Sequence, residues 1–131
     1  MNAAKILAVD DEPDLTVLIS YHLARSGHLV ETAADGWEAI SRISANRPDL
    51  ILLDLMLPDL DGFGVCEILR RNPETATIPI IIISAWASHD SHLLGLELGA
   101  IDYITKPFSP HVLVERVNRL INQRVDRTAK S

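Results

Sequence analysis

Five polar residues stand out because each directly follows a short apolar run. Asp10 and Asp11 follow Lys5–Val9, Asp54 follows Leu50–Leu53, Ser84 follows Ile80–Ile83, and Lys106 follows Asp102–Thr105. Brought together, they form a cluster of three carboxylates, one hydroxyl and one ammonium. Carboxylates held side by side repel unless something positive joins them. A donor set made only of oxygens suits a hard cation such as Mg2+ (or Mn2+), which keeps several waters in an octahedral shell. Such a cation and the Lys106 ammonium would neutralise two oxygens of an incoming phosphoryl group, with the Ser84 hydroxyl as a donor to a third. A carboxylate in that position is a nucleophile able to form an acyl phosphate. Asp54 is the best candidate because it ends the central apolar run. Asp10 and Asp11 lie next to each other after the first run, which suits metal ligation.

These residues meet only if the chain between them folds so as to bring the ends of the runs together. Lys5–Val9 reads as a strand, and Leu15, Leu18, Ile19 and Leu23 recur at helical spacing until Gly27 stops the helix. His28–Thr32 is a second strand, and Trp37, Ile40 and Ile43 mark a second helix that ends before Pro48. Leu50–Leu53 is a third strand. Pro58 and Gly62 punctuate a loop before a helix over Phe63–Arg71. Ile80–Ile83 is the most β-branched run and the firmest strand. A fourth helix is expected over Ser91–Leu98, ended by Gly99, then a strand over Asp102–Thr105 and a fifth helix opened by Pro110. The pattern is five βα units. Strands apolar at every position are covered on both faces, which implies an α/β fold with a parallel sheet between two helix layers. Right-handed crossovers make it doubly wound, and its ligand site should lie at the carboxyl ends of the strands, where the five residues stand.

The composition narrows the function. The chain has 131 residues, enough for one domain, with 47% hydrophobic residues, enough for a core. No apolar run nears the about 18 residues that span a bilayer, and Met1–Val9 has no long apolar stretch, so neither a membrane segment nor a signal peptide is expected. A net charge of −6 disfavours direct binding of nucleic acid by this domain. The basic residues concentrate late, at Arg116, Arg119, Arg124, Arg127 and Lys130, which reads either as a solvated helix face or as a partner contact. The single cysteine, Cys66, excludes an intrachain disulfide, sits in an apolar helical pattern and points to the cytoplasm.

Four segments in this order carry a family resemblance: Val9-Asp10-Asp11-Glu12-Pro13; Leu53-Asp54-Leu55-Met56-Leu57-Pro58 with Asp61-Gly62 behind it; Ile83-Ser84-Ala85; and Gly99 to Phe108, which contains Asp102-Tyr103-Ile104-Thr105-Lys106-Pro107. The chain resembles the receiver domains of two-component response regulators, including the chemotaxis response regulator, from about Lys5 to about Asn122. The resemblance implies a flavodoxin-like (βα)5 three-layer sandwich with strand order 2-1-3-4-5, a receiver domain over 1–125 and a polar tail over 126–131. It implies that Asp54 is the phosphoacceptor, that Asp11 ligates the metal directly and Asp10 through water, and that Met56 offers its backbone carbonyl. Ser84 stands at the hydroxyl switch position, Ala85 leaves room beside it, Lys106 binds the phosphoryl group, Pro107 follows a cis bond, and Tyr103 is the aromatic switch. The implied partners are a sensor histidine kinase or phosphotransfer protein, and a second copy of the chain through the surface of the fourth helix, fifth strand and fifth helix.

Plainer readings stand beside these. The plainer reading of Tyr103 is a partly buried aromatic. Trp86 and Met56, each two positions past a site residue, either line the approach to the phosphoryl group or pack the loops. His89 and His92 read as exposed residues at a helix start, Asp35-Gly36 as a turn into the second helix, and Asp59 and Asp61 as loop solvation, with Gly62 relieving a strained backbone. Among competing functions, a phosphatase with an Asp nucleophile commonly carries a second Asp two residues on, where this chain has Met56. A receiver-like module that binds partners without phosphorylation usually lacks part of the acidic cluster or the lysine. A flavin-binding domain would want a phosphate loop where Asp10-Asp11-Glu12 stands. The leading expectation is a phosphorylation-controlled switch whose only catalysis is its own phosphorylation and dephosphorylation, either free-standing or part of a larger regulator.

Overall fold

The computed structural model describes residues 3–86 and 88–130, without the side chains of residues 89, 91 and 124–130. The side chains of His89, Arg124, Arg127 and Lys130, singled out above, lie outside the described residues. In chain order the elements are β1 (Lys5–Val9), α1 (Pro13–Arg25), β2 (Leu29–Ala33), α2 (Gly36–Ala45), β3 (Leu50–Leu53), α3 (Gly62–Arg71), β4 (Ile80–Ser84), α4 (His89–Glu97), β5 (Asp102–Thr105) and α5 (Pro110–Lys130). All strand pairs are parallel, in the order β2-β1-β3-β4-β5. This is the doubly wound fold expected from the unbroken apolar runs Leu50–Leu53 and Ile80–Ile83. Among the described residues, no helix is long and apolar enough to cross a membrane.

Strand side chains alternate between two cores. Leu7, Val9, Ile51, Leu53, Ile80 and Ile82 face α2, α3 and α4, where Ile43, Val65, Cys66 and Leu69 meet them. Ile6, Ala8, Leu50, Leu52, Ile81 and Ile83 face α1 and α5, where Ile19, Leu23, Leu113 and Val117 meet them. Both sets are almost fully buried, which explains why these strands read as unbroken apolar runs. Cys66 is buried in the first core, as its sequence context suggests.

The ends of the elements follow local chemistry. Gly27 and Gly99, with φ of 93° and 88°, turn the chain after α1 and α4. Asp35 caps α2, its carboxylate accepting from the Glu38 N–H at 2.8 Å, and Asp61 caps α3 by accepting from the Gly64 N–H at 2.9 Å. Asp61 is therefore a helix cap rather than loop solvation. β2 begins one residue later than expected, because the His28 N–H donates to the Leu23 carbonyl at the end of α1. The α4 helix begins two residues earlier than expected, at His89, and ends at Glu97.

Candidate functional site

The carboxyl ends of β1, β3, β4 and β5 come together through the sheet's own ladder. The Asp54 N–H donates to the Val9 carbonyl at 3.0 Å, and the Lys106 N–H donates to the Ser84 carbonyl at 2.8 Å. Backbone bonds alone thus set Asp54 against the end of β1, next to Asp10, and Lys106 against Ser84. The Lys106–Pro107 peptide bond is cis.

Lys106 is the centre of the cluster. Its Nζ donates to Asp10 Oδ2 at 2.7 Å, to Asp54 Oδ2 at 2.9 Å and to Glu12 Oε1 at 3.2 Å. Asp10 and Asp54 are buried, whereas Asp11 and Glu12 are exposed at the rim. One carboxylate oxygen from each of Asp10, Asp11, Glu12 and Asp54 lies within 4.8 Å of the others. Three of these carboxylates thus share one ammonium, and the fourth, Asp11, lies beside them. Burial pushes the Asp10 carboxyl above its usual value and the Asp54 charge adds to this, against the pull of Lys106 and the Glu12 N–H. Burial by itself would lower the Lys106 ammonium. Its hydrogen bonds to Asp10 and Asp54 outweigh that and hold it protonated well above the ordinary lysine range.

Glu12 was not among the residues expected to matter. It occupies the N-cap position of α1 without capping it, and its side chain turns to Lys106 instead. Its signal was contiguity with Asp10-Asp11 on a turn that folds back, since the Glu12 N–H donates to Asp10 Oδ1 at 2.9 Å. Met56 lies beside Asp54, its N–H donating to Asp54 Oδ1 at 3.0 Å, with its side chain half exposed. The donor set of carboxylate oxygens, in surplus over positive charge, fits a hard divalent cation.

Gly62 does not relieve backbone strain, as read above. The left-handed residue of that loop is Asp59, with φ of 65°. A Cβ at Gly62 would lie 2.5 Å from the Asp54 carbonyl oxygen and 2.7 Å from Leu55 Cα. Glycine is required because the start of α3 rests directly on the chain that carries Asp54.

Ser84 is fully buried, and its Oγ accepts from the Trp86 N–H at 3.2 Å. Tyr103 is turned inward and buried, its hydroxyl donating to the Trp86 carbonyl at 2.8 Å. Trp86 itself is partly exposed and tilts against Phe63 at 5.9 Å. His92 is not a simple exposed residue. Its ring stacks on Tyr103 at 3.9 Å, and its Nε2 pairs with Thr105 Oγ1 at 3.2 Å. The described basic residues of α5 are engaged within the domain, Arg116 with Asp102 at 3.0 Å and with the Tyr103 carbonyl at 3.3 Å, and Arg119 with Glu115 at 3.0 Å.

A parallel five-stranded sheet with an acidic cluster and a lysine at its carboxyl edge defines a receiver. The family model described as the response regulator receiver domain matches residues 6–118, and the chain belongs to that family. It is 47% identical over 119 residues to the alkaline phosphatase synthesis transcriptional regulatory protein PhoP of Bacillus subtilis, covering 91% of this chain and 49% of that protein. It is 42% identical over 123 residues to the DNA-binding dual master transcriptional regulator RpaA of Synechocystis, covering 94% and 51%. The chain therefore spans about half the length of these curated relatives. Among solved structures, a Francisella response regulator receiver domain matches with a TM-score of 0.86 at 37% identity, covering 92% of this chain and 98% of that one. A chemotaxis response regulator of Vibrio cholerae matches with a TM-score of 0.85 at 33% identity, covering 90% and 98%. The chain is thus the receiver domain of a response regulator in a two-component system. Receiver domains generally bind Mg2+ in an acidic pocket, and response regulators are phosphorylated by histidine kinases.

Proposed function

We propose that this domain takes a phosphoryl group from a histidine kinase or phosphotransfer protein onto Asp54 and reports it through the surface of α4, β5 and α5. The observation that carries this reading is the convergence of Asp10, Glu12 and Asp54 on the Lys106 ammonium, at 2.7, 3.2 and 2.9 Å. In the transfer, an Asp54 carboxylate oxygen forms the new O–P bond. The P–N bond of the donor's phosphohistidine breaks, and its electron pair leaves with the imidazole, which takes up a proton. Lys106 holds a phosphoryl oxygen, keeping the charge it already carries between Asp10 and Asp54. Asp10, Asp11, Asp54 and the Met56 carbonyl would hold Mg2+ (or Mn2+), which when bound neutralises the carboxylates and the charge on the transferred group.

Ser84 and Tyr103 would act as the switch pair. The Ser84 hydroxyl is bonded to the Trp86 N–H and the Tyr103 hydroxyl to the Trp86 carbonyl, so a movement of Ser84 is felt at Tyr103. A second copy of the chain, or an output partner, would read the change. The relatives named above are transcriptional regulators, and we propose an output of that kind, with residues 1–125 as the receiver, 126–131 as a polar tail, and a cytoplasmic location that fits the lone buried cysteine.

The test is intact mass after incubation with a small acyl phosphate and Mg2+. One phosphoryl adduct is expected, lost both in Asp54→Ala and on adding a chelator. No adduct on folded protein, from small donors or from a panel of histidine kinases, would sink the reading in favour of a partner-binding module without phosphorylation.

A further inference from the structure

We infer that His92 is a positioning residue that holds the switch aromatic inward, so that α4 itself sets how readily Tyr103 turns; this rests on the switch reading above. Tyr103 sits in a slot made by one helix face. His92 covers the ring, with centroids 3.9 Å apart and planes 28° from parallel. Three residues on, Gly95 forms the floor, where a Cβ would come within 2.9 Å of Ile82 Cδ1 and 3.1 Å of Tyr103 Cδ2. Residues three apart on a helix share a face, so lid and floor are built by the same turn of α4.

The sequence of α4 makes sense in these terms. Glycine inside a helix is unfavourable relative to alanine, so its presence here needs a reason, and the ring supplies one. Among its described residues the helix buries little else, since Leu93, Leu94 and Leu96 are all exposed. His92 is in turn fixed by Thr105 Oγ1 at 3.2 Å, on the strand that carries Tyr103. For Tyr103 to leave, the stack must part, the bond to the Trp86 carbonyl must break, and the ring must clear His92. The chain of contacts runs His92–Tyr103–Trp86–Ser84, from the outer helix to the buried hydroxyl beside Lys106. An ordinary packing role would tie His92 to stability alone. The geometry ties it to the rotation of one ring.

The test uses the unphosphorylated protein first. Aromatic NMR should show contacts between the Tyr103 and His92 rings in the wild type. In His92→Ala the Tyr103 ring signals should move toward those of an exposed tyrosine, and in His92→Phe, which keeps the stack, they should stay. The rate of phosphorylation by a small acyl phosphate should fall by about two- to tenfold in His92→Ala, the range expected from losing one aromatic pair, and recover in His92→Phe. Gly95→Ala, which crowds the ring from below, should act in the same direction as His92→Ala. Unchanged ring signals in His92→Ala, or a displaced ring with an unchanged rate, overturns the inference, as does failure of His92→Phe to rescue. If the wild type accepts no phosphoryl group, the Asp54 reading falls, and the ring signals alone then decide for or against the hold on Tyr103.

Discussion

The two ends of the sheet solve opposite problems with the same strands. At the amino end, His28 is buried, and its Nδ1 accepts from the Ala4 N–H at 3.1 Å while its Nε2 pairs with Asn118 Oδ1 at 2.7 Å. The backbone donor assigns the neutral tautomer with the hydrogen on Nε2, so both ring nitrogens are satisfied and no charge accumulates. At the carboxyl end, Asp10, Glu12 and Asp54 converge on a single ammonium with Asp11 beside them, and negative charge is in surplus. One end is closed by neutral hydrogen bonds, and the other is left short of positive charge. The difference teaches that stability and responsiveness are separated along the strand axis. The end that must bind something is the end whose charges the protein alone does not balance.

The sharpest way to break this comparison is to exchange the effects of the two ends. Lys106→Ala should lower the rate of phosphoryl uptake by about 100- to 1000-fold, as expected for losing a charge aimed at the reacting group. His28→Ala, at the far end of the sheet, should leave that rate within about twofold. Time-resolved intact mass reads both, and a large rate effect from His28 would show that the two ends are not independent.

Stability should answer in the opposite sense. His28→Ala strands the buried Ala4 N–H and deprives the half-buried Asn118 Oδ1 of its partner, and should cost about 2–3 kcal/mol in urea unfolding. A loss under about 0.5 kcal/mol, the range of ordinary surface substitutions, would mean that the amino end is not the closed structure described.

The smallest effect is read in alkali. Lys106 and Cys66 both hold their protons more tightly in the folded chain than in the unfolded one. Their contributions are therefore complete below the unfolded values and are lost as pH rises through the folded ones. Burial pushes the Cys66 thiol from 9.0 up to about 11, so its window opens near pH 9 and should remove about 2 kcal/mol by pH 11. The contribution of Lys106 begins to be lost only above 10.5. In Cys66→Ala, stability should hold better from pH 9 to 10.5 and then fall, and adding Lys106→Ala should reduce that later fall. A fall above pH 10.5 of equal size in the two variants would separate it from the charged end of the sheet.

Much of this architecture was legible in the sequence because burial on both faces leaves a simple trace. Leu50–Leu53 and Ile80–Ile83 could hardly be anything but inner strands, and the polar residue after each run marked the rim of the sheet. Asp10, Asp54 and Lys106 were therefore readable as neighbours from chain order and the handedness of crossovers. What escaped depends on contacts between elements. Nothing local says that Glu12 forgoes its helix cap for Lys106, that His92 lies on a ring from β5, or that Gly62 touches the chain behind Asp54. The start of α4 was misjudged because its exposed leucines blur the periodicity on which such readings depend.

The unbroken apolar strands carry a last consequence. A strand that alternates is held in register, because a slip of one residue would turn its greasy side to water. β3 and β4 have no such safeguard, since Leu50–Leu53 and Ile80–Ile83 present much the same surface after a slip. What forbids the slip is the charged residue that follows β3, Asp54, together with Lys106 after β5, the strand paired to β4. Drawing Asp54 one place inward would bury a carboxylate away from Lys106, and drawing Lys106 inward would bury an ammonium away from both aspartates. The same side chains thus act as stops that tell the sheet where to align, and a substitution that empties the site of charge also erases the ruler by which the strands are measured.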